Sequence, residues 1–107
     1  MMDDATLGGY FDRHTRPPAF EGSDGRAYSV ALYLDDDAGP DGRFGGALLF
    51  VRWTAAGDHP EGHLETDYLA YGATRGEAEA ALRALSLWDV KAQLEVVIER
   101  HRAVPEW

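Results

Sequence analysis

Residues 63–85 read His63-Leu-Glu-Thr-Asp-Tyr-Leu-Ala-Tyr-Gly-Ala-Thr-Arg-Gly-Glu-Ala-Glu-Ala-Ala-Leu-Arg-Ala-Leu85, and this stretch decides the fold. Its first half alternates like a strand, Leu64 to Tyr71. Its second half is helical. Thr74 followed by Glu77 forms a capping box: the Thr74 hydroxyl accepts from the Glu77 N–H, and the Glu77 carboxylate reaches back to the N–H of Thr74. The acid also suits the positive end of the helix dipole. Gly72 supplies backbone freedom for the turn between the two.

The helical pattern continues to Arg102 but changes phase. Ala78, Ala81, Leu82 and Leu85 form one apolar stripe, and Val90, Leu94, Val97 and Ile98 form another. At about 100° per residue the two stripes face nearly opposite sides of a single straight helix. Ser86-Leu87-Trp88-Asp89 lies between them and reads as a second N-cap. A break near Ser86 folds both halves onto one core. A straight helix would leave the second stripe for a partner and make the protein an oligomer. The break is the preferred reading.

Upstream, the chain supplies strands for these helices to cover. Ala19 to Leu34 reads as a hairpin around Gly22-Ser-Asp-Gly25, with Tyr28, Val30, Leu32 and Leu34 on the core face. Arg43 to Thr54 is apolar on both faces at its middle, as a central strand is, and Gly45-Gly46 within it suggests a bulge or bend. Residues 35–42 and 55–62 are polar loops too short for parallel crossovers. Leu7, Tyr10, Phe11 and His14 fall at helical spacing, with Asp3 or Asp4 as a cap and Pro17-Pro18 as the stop, so a short helix docked by Tyr10 and Phe11 is expected. The terminal Val104-Pro-Glu-Trp107 is expected to fold back on the body. The fold expected is α+β: an antiparallel three- to four-stranded meander followed by a helical segment, kinked near Ser86, on one face. Residues 1–107 form one domain, with an arm at 1–18, the sheet at 19–71 and the helical segment at 74–102.

Composition narrows the function classes. There is no Cys among the 107 residues, which excludes disulfides, thiolate catalysis and Cys-based metal centres. Nineteen acids against ten Lys and Arg give a formal charge of −9. Such a surface repels phosphate backbones, so direct nucleic-acid binding is not expected. Solubility is the plainer reading of the acidity, and a basic protein or peptide partner is the sharper one. Acids at Asp3 and Asp4 do not fit a secretory signal, and no apolar run approaches the roughly 18 residues of a membrane span. A cytoplasmic protein is expected, with no membrane partner.

Three groups of residues invite a chemical reading. Taking Asp37 as the first EF-hand ligand puts Asp41 fifth and Gly42 sixth, but Gly39 stands third and Leu48 twelfth, so the calcium motif fails and a solvated loop is the plainer reading. His59-Pro-Glu-Gly-His63 is a His pair at ligand spacing in what reads as a loop, with Asp58, Glu61, Glu65 and Asp67 nearby. Tyr28, Tyr33, Phe44, Phe50, Trp53, Tyr68, Tyr71 and Trp88 are many aromatics for a small sheet. Of these, Tyr33, Phe50 and Tyr71 are expected on the face away from the helices, as a partner interface or ligand platform unless the N-terminal segment covers them. No Gly-x-Ser-x-Gly elbow or phosphate loop is present. No residue is assigned a catalytic, cofactor-binding or metal-ligating role.

The junction Tyr68-Leu-Ala-Tyr-Gly-Ala-Thr-Arg-Gly-Glu-Ala-Glu-Ala-Ala-Leu82 resembles that of the HicB-like antitoxin family, where a strand leads to Gly-x-Thr-x-x-Glu-Ala and an amphipathic helix. Gly72, Thr74, Glu77 and Ala78 match that pattern, and the Tyr28-Ser-Val-Ala-Leu32 strand is compatible with the family's first strand. The resemblance covers about half the chain. It implies a three-strand-plus-helix fold, a homodimer, and a small basic protein partner masked by an acidic face. The family's first loop is usually shorter, and its members often carry a DNA-binding segment that residues 1–107 do not display. The function expected is therefore a non-enzymatic interaction module. The alternative is a small metal- or ligand-binding enzyme using the loops at 35–42 and 58–67.

Overall fold

The computed structural model describes residues 5–103. The expected Asp3 or Asp4 cap and the Val104–Trp107 tail lie outside them. The elements run α1 (Leu7–Arg13), β1 (Ala19–Glu21), β2 (Ala27–Leu34), β3 (Phe44–Trp53), β4 (Pro60–Glu65), β5 (Ala70–Gly72), α2 (Arg75–Arg83) and α3 (Leu87–Ala103). All pairings are antiparallel. β1 to β4 form a meander in spatial order, and β5 pairs with β3 beyond the end of β4. The protein is thus an α+β fold, a sheet with helices on one face.

The helical segment breaks where Ser86 stands. The Ser86 Oγ accepts from the Asp89 N–H at 2.9 Å, the second N-cap expected from the sequence. The break also serves α1: the Leu7 N–H donates to the Leu85 carbonyl at 2.8 Å, and Thr6 bridges to Ser86. Breaking the helix turns both stripes to one core. Ala78, Leu82, Val90, Leu94, Val97 and Ile98 are all buried, with Tyr28, Val30, Leu48 and Phe50 of the sheet. The straight helix with an outward second stripe is therefore overturned. Ala81 departs from its stripe and is exposed.

At the first cap the Thr74 Oγ accepts from the Glu77 N–H at 3.1 Å, as expected. The Glu77 carboxylate instead accepts from the N–H of Ala73 at 3.0 Å, one residue before the expected donor. Gly72 is needed for space rather than for freedom. A Cβ there would lie 2.6 Å from the Ala78 nitrogen, so the glycine lets the start of α2 close over β5.

The N-terminal helix is real but docks differently. Thr6 is its N-cap, accepting from the Gly9 N–H at 3.0 Å. Leu7 is fully buried and anchors it, with Phe11 packed against the core margin. Tyr10 does not anchor it and stacks on His14. Gly8 is a contact point: a Cβ there would meet the Arg83 Cβ at 2.8 Å. Arg83 clamps the seam, donating to the Gly8 carbonyl at 3.2 Å and to Asp12 at 2.6 Å.

The third long strand expected at Leu64 to Tyr71 is two strands. β4 starts earlier, at Pro60, and its last residue Glu65 pairs with Leu49. β5 resumes with Ala70 opposite Gly46. The edge thus uses two more residues than β3 between those pairs, and the surplus loops outward at Asp67-Tyr68. Thr66 closes the ladder across the gap. Its N–H donates to the Leu48 carbonyl and its Oγ1 accepts from the Leu48 N–H, both at 3.0 Å. β3 itself stays regular against β2 through Gly46, so the Gly45-Gly46 bulge is not present; the register shift lies at Arg52/Trp53.

The two glycines have another use. Alternation sends them to opposite faces of β3. A Cβ on Gly46 would meet Leu82 of α2 at 2.8 Å, and a Cβ on Gly45 would meet the Tyr68 ring at 2.7 Å. One glycine admits the core helix, and the other seats an aromatic ring on the helix-free face.

Candidate functional site

The helix-free face of the sheet is built by register. Tyr33 of β2 pairs with Ala47 of β3, and Tyr71 of β5 pairs with Gly45. Between the two tyrosines β3 offers only Gly45 and Ala47, so no large side chain of its own fills the gap. The Tyr68 ring enters over Gly45, 5.6 Å from the Tyr71 ring. The result is a groove of about 600 Å³ lined by Tyr33, Ala47, Glu65, Thr66, Asp67, Tyr68 and Tyr71. Its floor is closed, with Ala47 and Thr66 buried, while the three tyrosines are each 45–48% exposed.

Asp35 organises the end of this groove. Its Oδ1 accepts from the Tyr68 hydroxyl at 2.6 Å and its Oδ2 from the Gly45 N–H at 3.1 Å. The Tyr68 hydrogen bond, outweighing burial and helped by the Gly45 N–H, holds the Asp35 carboxyl below the usual carboxylate range. The same bond pushes the Tyr68 phenol up to about 12. The charge of Asp35, then a hydrogen bond to it, also raises Tyr33. Around neutral pH the groove therefore presents neutral phenols beside an ionised acid. Arg43 lies over the Tyr71 ring, its guanidinium carbon 4.4 Å from the centroid.

Further along the same face, Leu49, Val51 and Trp53 of β3 are half-buried. The Trp53 indole N–H donates to the Ser29 Oγ at 2.8 Å, which lays the ring across to β2. Tyr10, Arg16 and Pro17 line a recess there with Ala27, Ser29 and Trp53. Among the described residues, the N-terminal segment lines the Trp53 end and does not line the tyrosine groove. Phe50 corrects the expectation made for it: it faces the helices and is fully buried. Trp88 belongs to neither face of the sheet and stands 84% exposed on α3.

The two polar loops do not converge. Residues 35–42 follow β2 and precede β3, whereas residues 54–59 join the other end of β3 to β4. Only Tyr68, one residue past the 58–67 segment, reaches Asp35, and the Asp67 carboxylate turns to Arg100 of α3. His63 is on strand β4, not in a loop, 3.7 Å from Glu65, and His59 pairs with Asp58 at 2.8 Å. Among the described residues no group of three or more His, Asp or Glu is placed to hold a metal ion. In the acidic loop Asp41 is engaged by Arg43.

A second cavity opens on the helical side, lined by Asp24, Tyr28, Arg52, Leu64, Ile98, His101 and Arg102. The buried Tyr28 ring directs its hydroxyl to Asp24 at 2.5 Å. Burial, and then this hydrogen bond, push Tyr28 up to about 12. Burial opposes ionisation of Asp24, but the Tyr28 hydroxyl and the Arg26 N–H outweigh it and keep the carboxyl below its usual value.

Sequence reading found Tyr33 and Tyr71 through strand alternation. It missed Tyr68 and Asp35 as partners, because the outward loop at Asp67-Tyr68 breaks the alternation. The signal present was Gly45: a glycine in a central strand marks a place where another group approaches. Comparison with family models, with curated proteins and with solved structures finds no match. Among the described residues, no helix is long and apolar enough to cross a membrane.

Proposed function

We propose that this protein is a small cytoplasmic interaction module, not an enzyme, whose helix-free sheet face receives a basic protein partner. The observation that carries the reading is the tyrosine groove: three half-exposed aromatic rings over a closed floor, rimmed by Asp35, Glu65 and Asp67, in a chain of formal charge −9. Aromatic residues are enriched at protein interfaces, and complementary charge speeds and orients association. The edge beside the groove is blunted against indiscriminate strand pairing, since β4 opens with Pro60 and carries Glu61, His63 and Glu65. Masking of a basic partner by an acidic fold is the mode that the HicB-like resemblance implies, and that role is part of the proposal.

The test is capture from a lysate of the source organism with the wild-type protein and a Tyr33→Ser/Tyr71→Ser variant as baits. A basic protein retained in stoichiometric amount by the wild type and lost by the folded variant is expected. Equal retention by both baits would contradict the assignment to this face.

Self-association is a second reading, with a surface of its own. Trp88 and Val96 lie on one exposed face of α3, eight residues apart, at 84% and 47% exposure. A homodimer formed there would leave the sheet face free. Light scattering of the wild type and Trp88→Lys separates the cases: a dimer reduced to a monomer supports it, and a monomeric wild type contradicts it.

A further inference from the structure

We infer that the tyrosine groove is a recognition pocket for an arginine side chain of the partner. This rests on the interaction reading above and specifies the chemistry by which the face would recognise its target.

The argument starts from what the walls offer. The faces of Tyr33, Tyr68 and Tyr71 carry the negative part of the ring quadrupole and attract cations. Ala47 and Thr66 close the floor without contributing charge. The protein already seats one guanidinium against this cluster, because Arg43, which does not line the groove, covers Tyr71 at 4.4 Å.

The carboxylates around the groove are not equivalent. Asp67 is held by Arg100, with nitrogen–oxygen distances of 3.1 and 3.3 Å. Asp35 accepts from Tyr68 and Gly45. Glu65 has its ion pair with His63 alone among the described residues, at 3.7 Å and with the carboxylate side chain 62% exposed. Glu65 is therefore the acid best placed to receive a new cation. It sits on the same face as the rings, opposite Leu49 of β3. A ring wall beside an accepting carboxylate suits a planar guanidinium, which stacks with one face and donates two parallel N–H bonds along its edge. An ammonium can do only part of this. A second copy of this chain is a poor occupant of this groove, because it would set a predominantly acidic surface against the Glu65 and Asp67 carboxylates beside it.

The experiment is calorimetry with three probes, the peptides Gly-Arg-Gly-Arg-Gly, Gly-Lys-Gly-Lys-Gly and the citrulline counterpart of the first. The arginine peptide is expected to bind several-fold more tightly than the lysine peptide, and the citrulline peptide, equal in shape but uncharged, to bind too weakly to measure. Glu65→Gln should weaken the arginine peptide about tenfold. Tyr33→Ala should weaken it similarly, Tyr33→Phe should preserve it, and Glu79→Gln on α2 should leave it unchanged. Circular dichroism of each variant confirms that it is folded. Binding of citrulline equal to arginine, arginine no tighter than lysine, no arginine binding, or indifference to Glu65→Gln would each overturn the inference. The two readings fail separately. A partner captured through the sheet face with undiminished affinity for Glu65→Gln would remove the arginine pocket and leave the interaction module standing. A folded groove variant that captures as well as the wild type would remove the module itself.

Discussion

The Tyr68 hydroxyl donates to an Asp35 oxygen at 2.6 Å, tying the outward loop between β4 and β5 to the end of β2. Because that bond favours the ionised acid, Asp35 titrates lower in the folded chain than in the unfolded one. A lowered folded value contributes stability that is present above the unfolded pKa, about 3.9, and is lost as pH falls through the folded value. Tyr68→Phe should therefore be less stable than the wild type at neutral pH, and the gap should narrow as pH drops below about 4. Urea melts at pH 7 and pH 3 check this. A gap that widens with acid would contradict it.

Thr66 stands in for a ladder partner, its Oγ1 accepting from the Leu48 N–H and donating to the Asp67 carbonyl at 2.7 Å. Thr66→Val keeps the volume and strands both groups. A loss of about 1–3 kcal/mol is expected, the cost of an unsatisfied buried polar group. Thr66→Ser, which keeps the oxygen, should lose less. Urea denaturation of the pair measures the difference.

Each half of the helical segment has its own cap and its own share of the core. Thr74→Ala and Ser86→Ala should each cost about 1 kcal/mol and add nearly independently. Leu94→Ala, at a fully buried site, should cost about 2–5 kcal/mol without changing the molecular mass in solution. A change of oligomeric state in that variant would instead favour an outward second stripe.

Tyr28 gives the alkaline counterpart. Its folded value of about 12 lies above the ordinary tyrosine value. A raised value contributes stability that is fully present below the unfolded pKa, about 10, and is lost as pH rises through the folded one. The wild type should lose stability between about pH 10 and pH 12, and Tyr28→Phe should lose less across that window. Thermal melts across that range, with phenolate absorbance as the titration signal, test the sign.

Much of this fold was legible because one physical constraint dominated at each place. The Thr74 and Ser86 caps, the phase shift between stripes and the Tyr28-to-Leu34 alternation each reflect local geometry acting on a buried face. Leu64 to Tyr71 was not legible as two strands, since its alternation continues on paper across a gap that Thr66 closes with a side-chain oxygen. Phe50 was assigned to the wrong face because β3 is apolar on both sides, so its pattern holds no orientation. The groove was half legible. Tyr33 and Tyr71 follow from strand alternation, whereas Asp35 and Tyr68 meet only through tertiary structure, 33 residues apart.

The central claim is that the helix-free sheet face carries the recognition. Its most direct test is an amide chemical-shift map of the isotopically labelled protein titrated with the Gly-Arg-Gly-Arg-Gly peptide. Shifts should concentrate at Tyr33, Ala47 and residues 65–71, and the amides of α3 should stay in place. Shifts concentrated on α3 around Trp88, or spread evenly over the acidic surface, would contradict the account.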